Sequence, residues 1–405
     1  MSNINFINPA TKRAVKKSAH FKRIQRKKYI RIWSSVLPVI LVLLGVGFYY
    51  RGTIFPQVNF TEQQSVTTSK IMAGRATVPT EINSWVPPET TEKENETAEE
   101  FSGLSKTVYA KNISRPISLS FGSEGELYAT SADGHIFIIR SDENEITNSQ
   151  VFFTGLDSPI GIAYHNNQLY VSSKATVSIL ADTNDNDLVD YREDILTGLP
   201  VGARQTLGLE FRNSALYIAQ GATSTEVGEE GKIMRILPDG KNVEPFASGF
   251  YNPFAIAFHP LTGDLFVVDS VSEGDDKMEE LNLVTLGGDY GWPNCNGLDC
   301  TKAKRPLLTF PAGTEVRGLT FYTGNNLPKE YFHNLFVVLS KKSEDGEAGQ
   351  EIVRVKLTRK SGLYEAEVLP FIDGFTEPVD IIEGPDGALY VSDYGANEII
   401  KIFAK

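Results

Sequence analysis

Two cysteines, four methionines and five histidines are all that 405 residues hold of the side chains that bind soft metals or turn over protons near neutral pH. That scarcity excludes a disulfide-dense scaffold and any zinc centre built on paired Cys-x-x-Cys units. Cys295 and Cys300 sit five positions apart in one loop. They are expected to form a local disulfide rather than a metal site, because a lone pair lacks partner ligands. No phosphate-cradling glycine loop, nucleophile elbow or zinc signature occurs in the body of the chain. Acidic residues are missing from the start: the first is Glu62, and eleven Lys or Arg precede it. The remaining 28 basic and 51 acidic residues leave the rest at −23, a balance that argues against nucleic acid as a partner.

The basic arm, residues 1–31, leads into nineteen uncharged residues from Ile32 to Tyr50, bounded by Arg31 and Arg51. As a helix this run spans about 28 Å, close to the hydrocarbon thickness of a bilayer. Trp33, Tyr49 and Tyr50 lie where interfacial aromatics belong, and the Lys/Arg crowd before the run keeps the N-terminus cytoplasmic. The run ends Phe48-Tyr49-Tyr50-Arg51, without the small residues of a signal-peptidase site, so an uncleaved single-pass anchor in the plasma (inner) membrane is expected. Residues 51–103, rich in Thr, Glu, Pro and Ser, read as a disordered extracytoplasmic stalk. The triplets at Asn59, Asn95 and Asn112 fit glycosylation sequons, a pattern that also arises by chance.

From residue 104 one phrase returns six times: a Pro or its equivalent, a short apolar strand, a turn, then Leu-aromatic-β-branched. The copies start at Arg115, Ser158, Gln205, Asn252, Glu315 and Glu377. Their second-strand leucines, Leu127, Leu169, Leu216, Leu265, Leu335 and Leu389, are separated by 42, 47, 49, 70 and 54 residues. Units of that size with several turn-separated strands predict an all-β, six-bladed β-propeller over 104–405. The strand at Thr107-Val-Tyr-Ala precedes the first copy as outer strands precede later ones. It is expected to complete the sixth blade and remove an open sheet edge.

Residues entering the innermost strands of a propeller converge at one end of its channel. Here they are Arg115, Ser158, Gln205, Asn252, Glu315 and Glu377, preceded by Ser114, Asp157, Arg204, Tyr251, Thr314 and Thr376. Such a concave ring suits a polyhydroxylated or anionic ligand, and it equally describes a solvated rim whose charges pair with one another.

One stretch is more specific. Glu280-Leu-Asn-Leu-Val runs into Gly287-Gly-Asp-Tyr-Gly-Trp-Pro293. It resembles the glucose/sorbosone dehydrogenase family of quinoprotein β-propellers, in which a D-D-E-L-N-L-I run leads into G-G-N-Y-G-W-P. The resemblance implies a mouth holding pyrroloquinoline quinone (PQQ) over calcium, where a histidine takes the sugar hydroxyl proton as hydride passes to the quinone. The family's His position falls on Arg204, and its Arg-Asn pair on Tyr251-Asn252. The segment that supplies cofactor and calcium contacts falls on Asp269-Ser270-Val271-Ser272, and the acidic run is interrupted around Asp276. By this resemblance Arg204 and Asn252 stand at catalytic positions. Arg115, Gln205, Tyr251, Asn252, Ser270, Asp276 and Glu377 stand at cofactor positions, and Asp276, Glu280 and Tyr290 at metal positions. An arginine cannot act as a general base near neutral pH, although Arg204 suits a carboxylate.

A second calcium candidate needs no resemblance. Asp182, Asn184, Asn186, Asp190 and Glu193 occupy positions 1, 3, 5, 9 and 12 of an EF-hand-type loop, with Asp187 where Gly is usual. A structural role in an inter-blade connection is expected of it. Two functions stay open: PQQ- and calcium-dependent oxidation of an aldose or related sugar, or a catalytically inactive propeller serving as a carbohydrate- or protein-binding surface module.

Overall fold

A computed structural model of the protein describes residues 103–405, apart from 142–146, 202–205, 238–239, 241, 271–276, 344–345 and 347–348. The basic arm, the apolar run and all but the end of the stalk lie outside the described residues. Among those described, no helix is long and apolar enough to cross a membrane.

The chain folds into six antiparallel sheets that follow one another along the sequence. The innermost strands are Pro116–Phe121, Ile162–His165, Thr206–Arg212, Pro253–Phe258, Val316–Phe321 and Pro378–Glu383, one for each of blades 1 to 6. Second strands such as Leu265–Asp269 and Leu335–Leu339 are buried at every residue. That burial on both faces explains why LFVVD and LFVVL show no polar alternation. Each junction between consecutive blades is filled by one hydrophobic cluster. Ile136 and Phe152 of blade 1 meet Leu169 and Val171 of blade 2. Phe254 and Phe266 of blade 4 meet Leu335 and Val353 of blade 5.

The predicted closure is present. Leu104–Lys111 is the outer strand of blade 6, pairing antiparallel with Glu398–Ala404 from Leu104↔Ala404 to Lys111↔Glu398. Leu119, Leu127, Ala388 and Tyr390 then seal blade 6 against blade 1.

The long spacing between Leu265 and Leu335 is accounted for by an excursion from blade 4. After the third strand, Glu279–Val284, the chain crosses to blade 3. There Gly288–Asp289 pairs in parallel with the outer strand Val243–Phe250. It then returns to blade 4 at Leu308–Phe310. The excursion is pinned by Tyr290 stacked on Phe250 at 4.7 Å and by the Cys295–Cys300 disulfide. Gly291, at φ +102, packs under that disulfide, and a Cβ there would lie 2.5 Å from the Cys295 sulfur.

Candidate functional site

The residue before each innermost strand marks the inlet of the central channel; Arg115, Asn252, Glu315 and Glu377 stand there, and Ser158 stands four residues ahead of Ile162. Three of them, Arg115, Ser158 and Glu315, hold left-handed backbone with φ of 42°, 52° and 48°. The repeat therefore turns sharply into the channel at the same place in three blades. Arg204 and Gln205 lie outside the described residues, as does Asp276.

The rim charges pair locally rather than across the mouth. The Arg115 guanidinium bonds Asp133, which also accepts from Ser114. Those two donors hold the Asp133 carboxyl below its ordinary range. Lys174 reaches Asp157 at 3.5 Å. Glu315, 8% exposed, pairs with Arg317 and, at 2.8 Å, with Lys341. Burial pushes the Glu315 carboxyl up, and the two cations outweigh it. Glu377 is set through its backbone: its N–H donates to Asp393 at 2.9 Å, as does that of Thr376.

Asp269 does the same work in blade 4. Its carboxylate accepts from Tyr251 N–H at 2.9 Å and Asn252 N–H at 2.6 Å, and Ser270 N–H donates to the Asn252 carbonyl at 3.1 Å. Asp269 stands opposite Glu280 in the strand ladder, and both are buried. Burial, then the neighbouring Glu280 charge, drives Asp269 well above the usual carboxylate range, and burial raises Glu280 too. The Asn252 side chain is left with a buried Oδ1 that has no hydrogen-bond partner among the described residues. Beside it, Tyr251 leans on Trp292 at 4.4 Å between centroids, and Lys277 Nζ sits 3.8 Å from the Trp292 ring centre. The Trp292 indole N–H is likewise buried without an acceptor. An amide oxygen and an indole N–H, both buried and unpaired among the described residues, are therefore polar groups with hydrogen-bonding capacity left unspent beside the inlet.

The metal positions are otherwise engaged. Glu280 Oε1 accepts from Asn296 Nδ2 at 2.8 Å and Gly297 N–H at 2.5 Å, while Oε2 accepts from Asn282 Nδ2 at 3.1 Å. The Tyr290 hydroxyl donates to the Leu283 carbonyl at 2.7 Å and accepts from Thr285 N–H at 3.0 Å.

The Asp182–Glu193 loop corrects one expectation. It joins the third and fourth strands of blade 2, Thr176–Ala181 and Tyr191–Thr197, and is not an inter-blade connection. Asp187 does take the left-handed angle of the sixth loop position, φ 58°. Asp182 accepts from the N–H groups of Asn184 and Asp187, and Asp190 from Thr183 and Asn184. Asn186 Oδ1 accepts from Leu188 N–H. Glu193 lies in the fourth strand and bonds the Tyr191 hydroxyl. Among the described residues no group of three or more His, Cys, Asp or Glu is placed to hold a metal.

Arg317 and Lys341 were not singled out by sequence reading. A signal was present for Arg317, which occupies a slot filled by Ile117, Ile160, Phe254 and Val379 in other copies.

Residues 218–401 match the family model described as glucose/sorbosone dehydrogenase, and residues 88–280 match a domain of unknown function. An uncharacterised protein of Borreliella burgdorferi is 23% identical over 343 residues, which is 75% of this chain and 89% of that one. Quinoprotein glucose dehydrogenase B of Acinetobacter calcoaceticus is 26% identical over 259 residues, 47% of this chain and 53% of that protein. The PQQ-bound aldose sugar dehydrogenase of Streptomyces coelicolor superposes with a TM-score of 0.60 at 17% identity, covering 75% of this chain and 98% of that one. The six blades and the ELNLV…GGDYGWP excursion thus belong to a six-bladed β-propeller whose residues 218–401 match the glucose/sorbosone dehydrogenase family.

Proposed function

We propose that the propeller binds a sugar or related polyhydroxylated ligand at its inlet, held outside the cytoplasmic membrane by the single-pass anchor at 32–50. The observation that carries this reading is the buried, unpartnered Asn252 Oδ1. Its backbone is fixed by Asp269, and Tyr251 and Trp292 form an adjoining wall. A buried acceptor left without a donor is costly, and a ligand hydroxyl relieves that cost. Lys277, Arg317 and Lys341 add positive charge at the same end, which suits an acidic sugar.

A second reading, oxidation of that sugar with PQQ and calcium, is favoured by the family match and by the PQQ-bound relative. The quinone would supply the electron sink. For the quinone, Asn252 offers a contact and Arg115 and Glu377 flank the rim. For calcium at the mouth the described residues do not fit, since protein donors occupy the oxygens of Glu280 and Tyr290. No step through the metal is derived.

The test is calorimetry on the full-length protein with a panel of aldoses and aldonic acids, alone and with PQQ plus calcium. Binding that Asn252→Ala weakens by about tenfold, with melting temperature unchanged, supports the inlet site. Sugar-dependent reduction of an artificial dye in the loaded protein adds the oxidation reading. Absence of heat for every sugar, with and without quinone and calcium, overturns both.

A further inference from the structure

The opposite end of the central channel opens into a separate chamber of about 510 Å³, lined by the later halves of the innermost strands and reaching Pro260 and Thr323. Aligning the six repeats exposes its chemistry. The third position of the innermost strand is Ser118, Gly161, Gly208, Ala255 and Gly318 in five copies and Asp380 in blade 6. The fifth position is Ser120, Ala163, Ala257, Thr320 and Ile382 in five copies and Glu210 in blade 3. Small residues are required where neighbouring strands crowd the axis: a Cβ on Gly318 would lie 2.7 Å from the Asp380 Cα. A carboxylate at such a place is a departure that packing does not call for.

Blades 3 and 6 are opposite one another in a six-bladed ring, so Glu210 and Asp380 approach from facing walls. Asp380 is positioned by Leu119 N–H and Ile381 N–H, both at 2.9 Å. The sixth position contributes Phe121, Tyr164, Phe211, Phe258 and Phe321 to the lining, and Glu383 in blade 6; one face of Phe211 is stacked on His165 and one of Phe258 lies under Arg212. The lining thus contains three carboxylates, six aromatic residues and no Lys or Arg. Glu383 accepts from Thr323 and Asp380 from backbone N–H groups, and no cation of the lining balances the Glu210–Asp380 pair.

From this geometry we infer that the outlet chamber is a binding site for a small organic ammonium ion, its charge between Glu210 and Asp380 and its body against the aromatic ring. The chamber is far larger than a bare ion, and its volume matches a small organic molecule. Aromatic faces around an ammonium with carboxylates behind it are a general mode of recognising such cations. Without the ligand, burial and then the Asp380 charge push the Glu210 carboxyl up to about 8, and burial pushes Asp380 up to about 6. The other charged or titratable groups facing Glu210 are Arg212 on its own strand and, nearer the outlet, Tyr164 and Glu383. A bound ammonium displaces the Glu210 proton, so uptake at pH 7 releases protons and tightens as pH rises toward 8.

Choline and its uncharged isostere 3,3-dimethyl-1-butanol are the probes, with calcium chloride alone as a third arm, all on the full-length protein. The expected results are choline binding by calorimetry at or below about 10 mM and binding of the isostere weaker by about tenfold or more. Proton release should appear when buffers of different ionisation enthalpy are compared. Glu210→Gln should lower choline affinity by about tenfold or more while leaving the protein folded, as read by its melting temperature. Equal binding of choline and isostere, no choline binding, calcium binding without choline binding, or choline affinity unchanged in folded Glu210→Gln each overturn the proposal.

Discussion

Glu210 makes the stability of this propeller depend on pH in a direction that can be worked out in advance. Its carboxyl is pushed from an ordinary 4.5 to about 8 in the folded chain, by burial first and the Asp380 charge second. Between those two values the folded state holds a proton that the unfolded state has lost. Unfolding therefore releases protons, and stability falls as pH rises through that window. At about 1.36 kcal/mol per pH unit the full displacement corresponds to about 5 kcal/mol. The chamber admits water, which screens the charge, so about 2 kcal/mol is the working expectation. Glu210→Gln removes the titration. At pH 5 variant and parent should unfold at nearly the same urea concentration. At pH 9 the variant should be more stable by about 2 kcal/mol, or about 3 °C in melting temperature for a propeller of this size. Urea titrations at pH 5, 7 and 9 decide it. Parallel pH profiles for the two proteins would refute the assignment of Glu210 as a buried, proton-holding group.

Asp393→Ala removes the acceptor for Thr376 N–H and Glu377 N–H, and should cost about 2 kcal/mol in urea unfolding, with Asp393→Asn recovering part of it. Phe310 is fully buried in the cluster between blades 4 and 5, and Phe310→Ala should cost about 3–5 kcal/mol by the same measurement. Reducing Cys295–Cys300 releases only a short loop, of sequence separation 5, so stability should drop by about 2 kcal/mol in dithiothreitol while the far-ultraviolet circular dichroism keeps its β signature.

The fold was legible because propeller blades repeat the same physical demand. Each second strand is covered on both faces, so Leu127, Leu265 and Leu389 head similar apolar runs wherever they occur. Closure was legible for a related reason: an unpaired Thr107–Ala110 segment had one free edge to fill. The rim positions followed from the repeat phase, but their partners did not. Asp133 and Asp393 act through side chains that reach back from the ends of strands or turns about seventeen residues away, a relation that spacing alone does not encode. The excursion was visible as an aromatic corner at Tyr290 and Trp292, yet its crossing to blade 3 depends on a parallel pairing with no sequence periodicity. The loop at Asp182 matched a metal-binding pattern because alternating Asp and Asn also build turns that bond their own backbone.

Joining the first described strand to the last has a cost that falls on assembly. Leu104 must wait for Ala404, a loop of 404 − 104 = 300 residues. Closing such a loop opposes folding by roughly 5 kcal/mol of chain entropy. During synthesis the sixth blade stays incomplete until Glu398–Ala404 has emerged, and until then Leu104–Lys111 has no strand to pair with. At high concentration that waiting strand can complete the ring of another molecule instead of its own, so dilute, slow refolding should favour monomers and concentrated refolding strand-swapped chains. The clasp that gives the finished ring no loose end is thus also the step at which one chain is told apart from its neighbours.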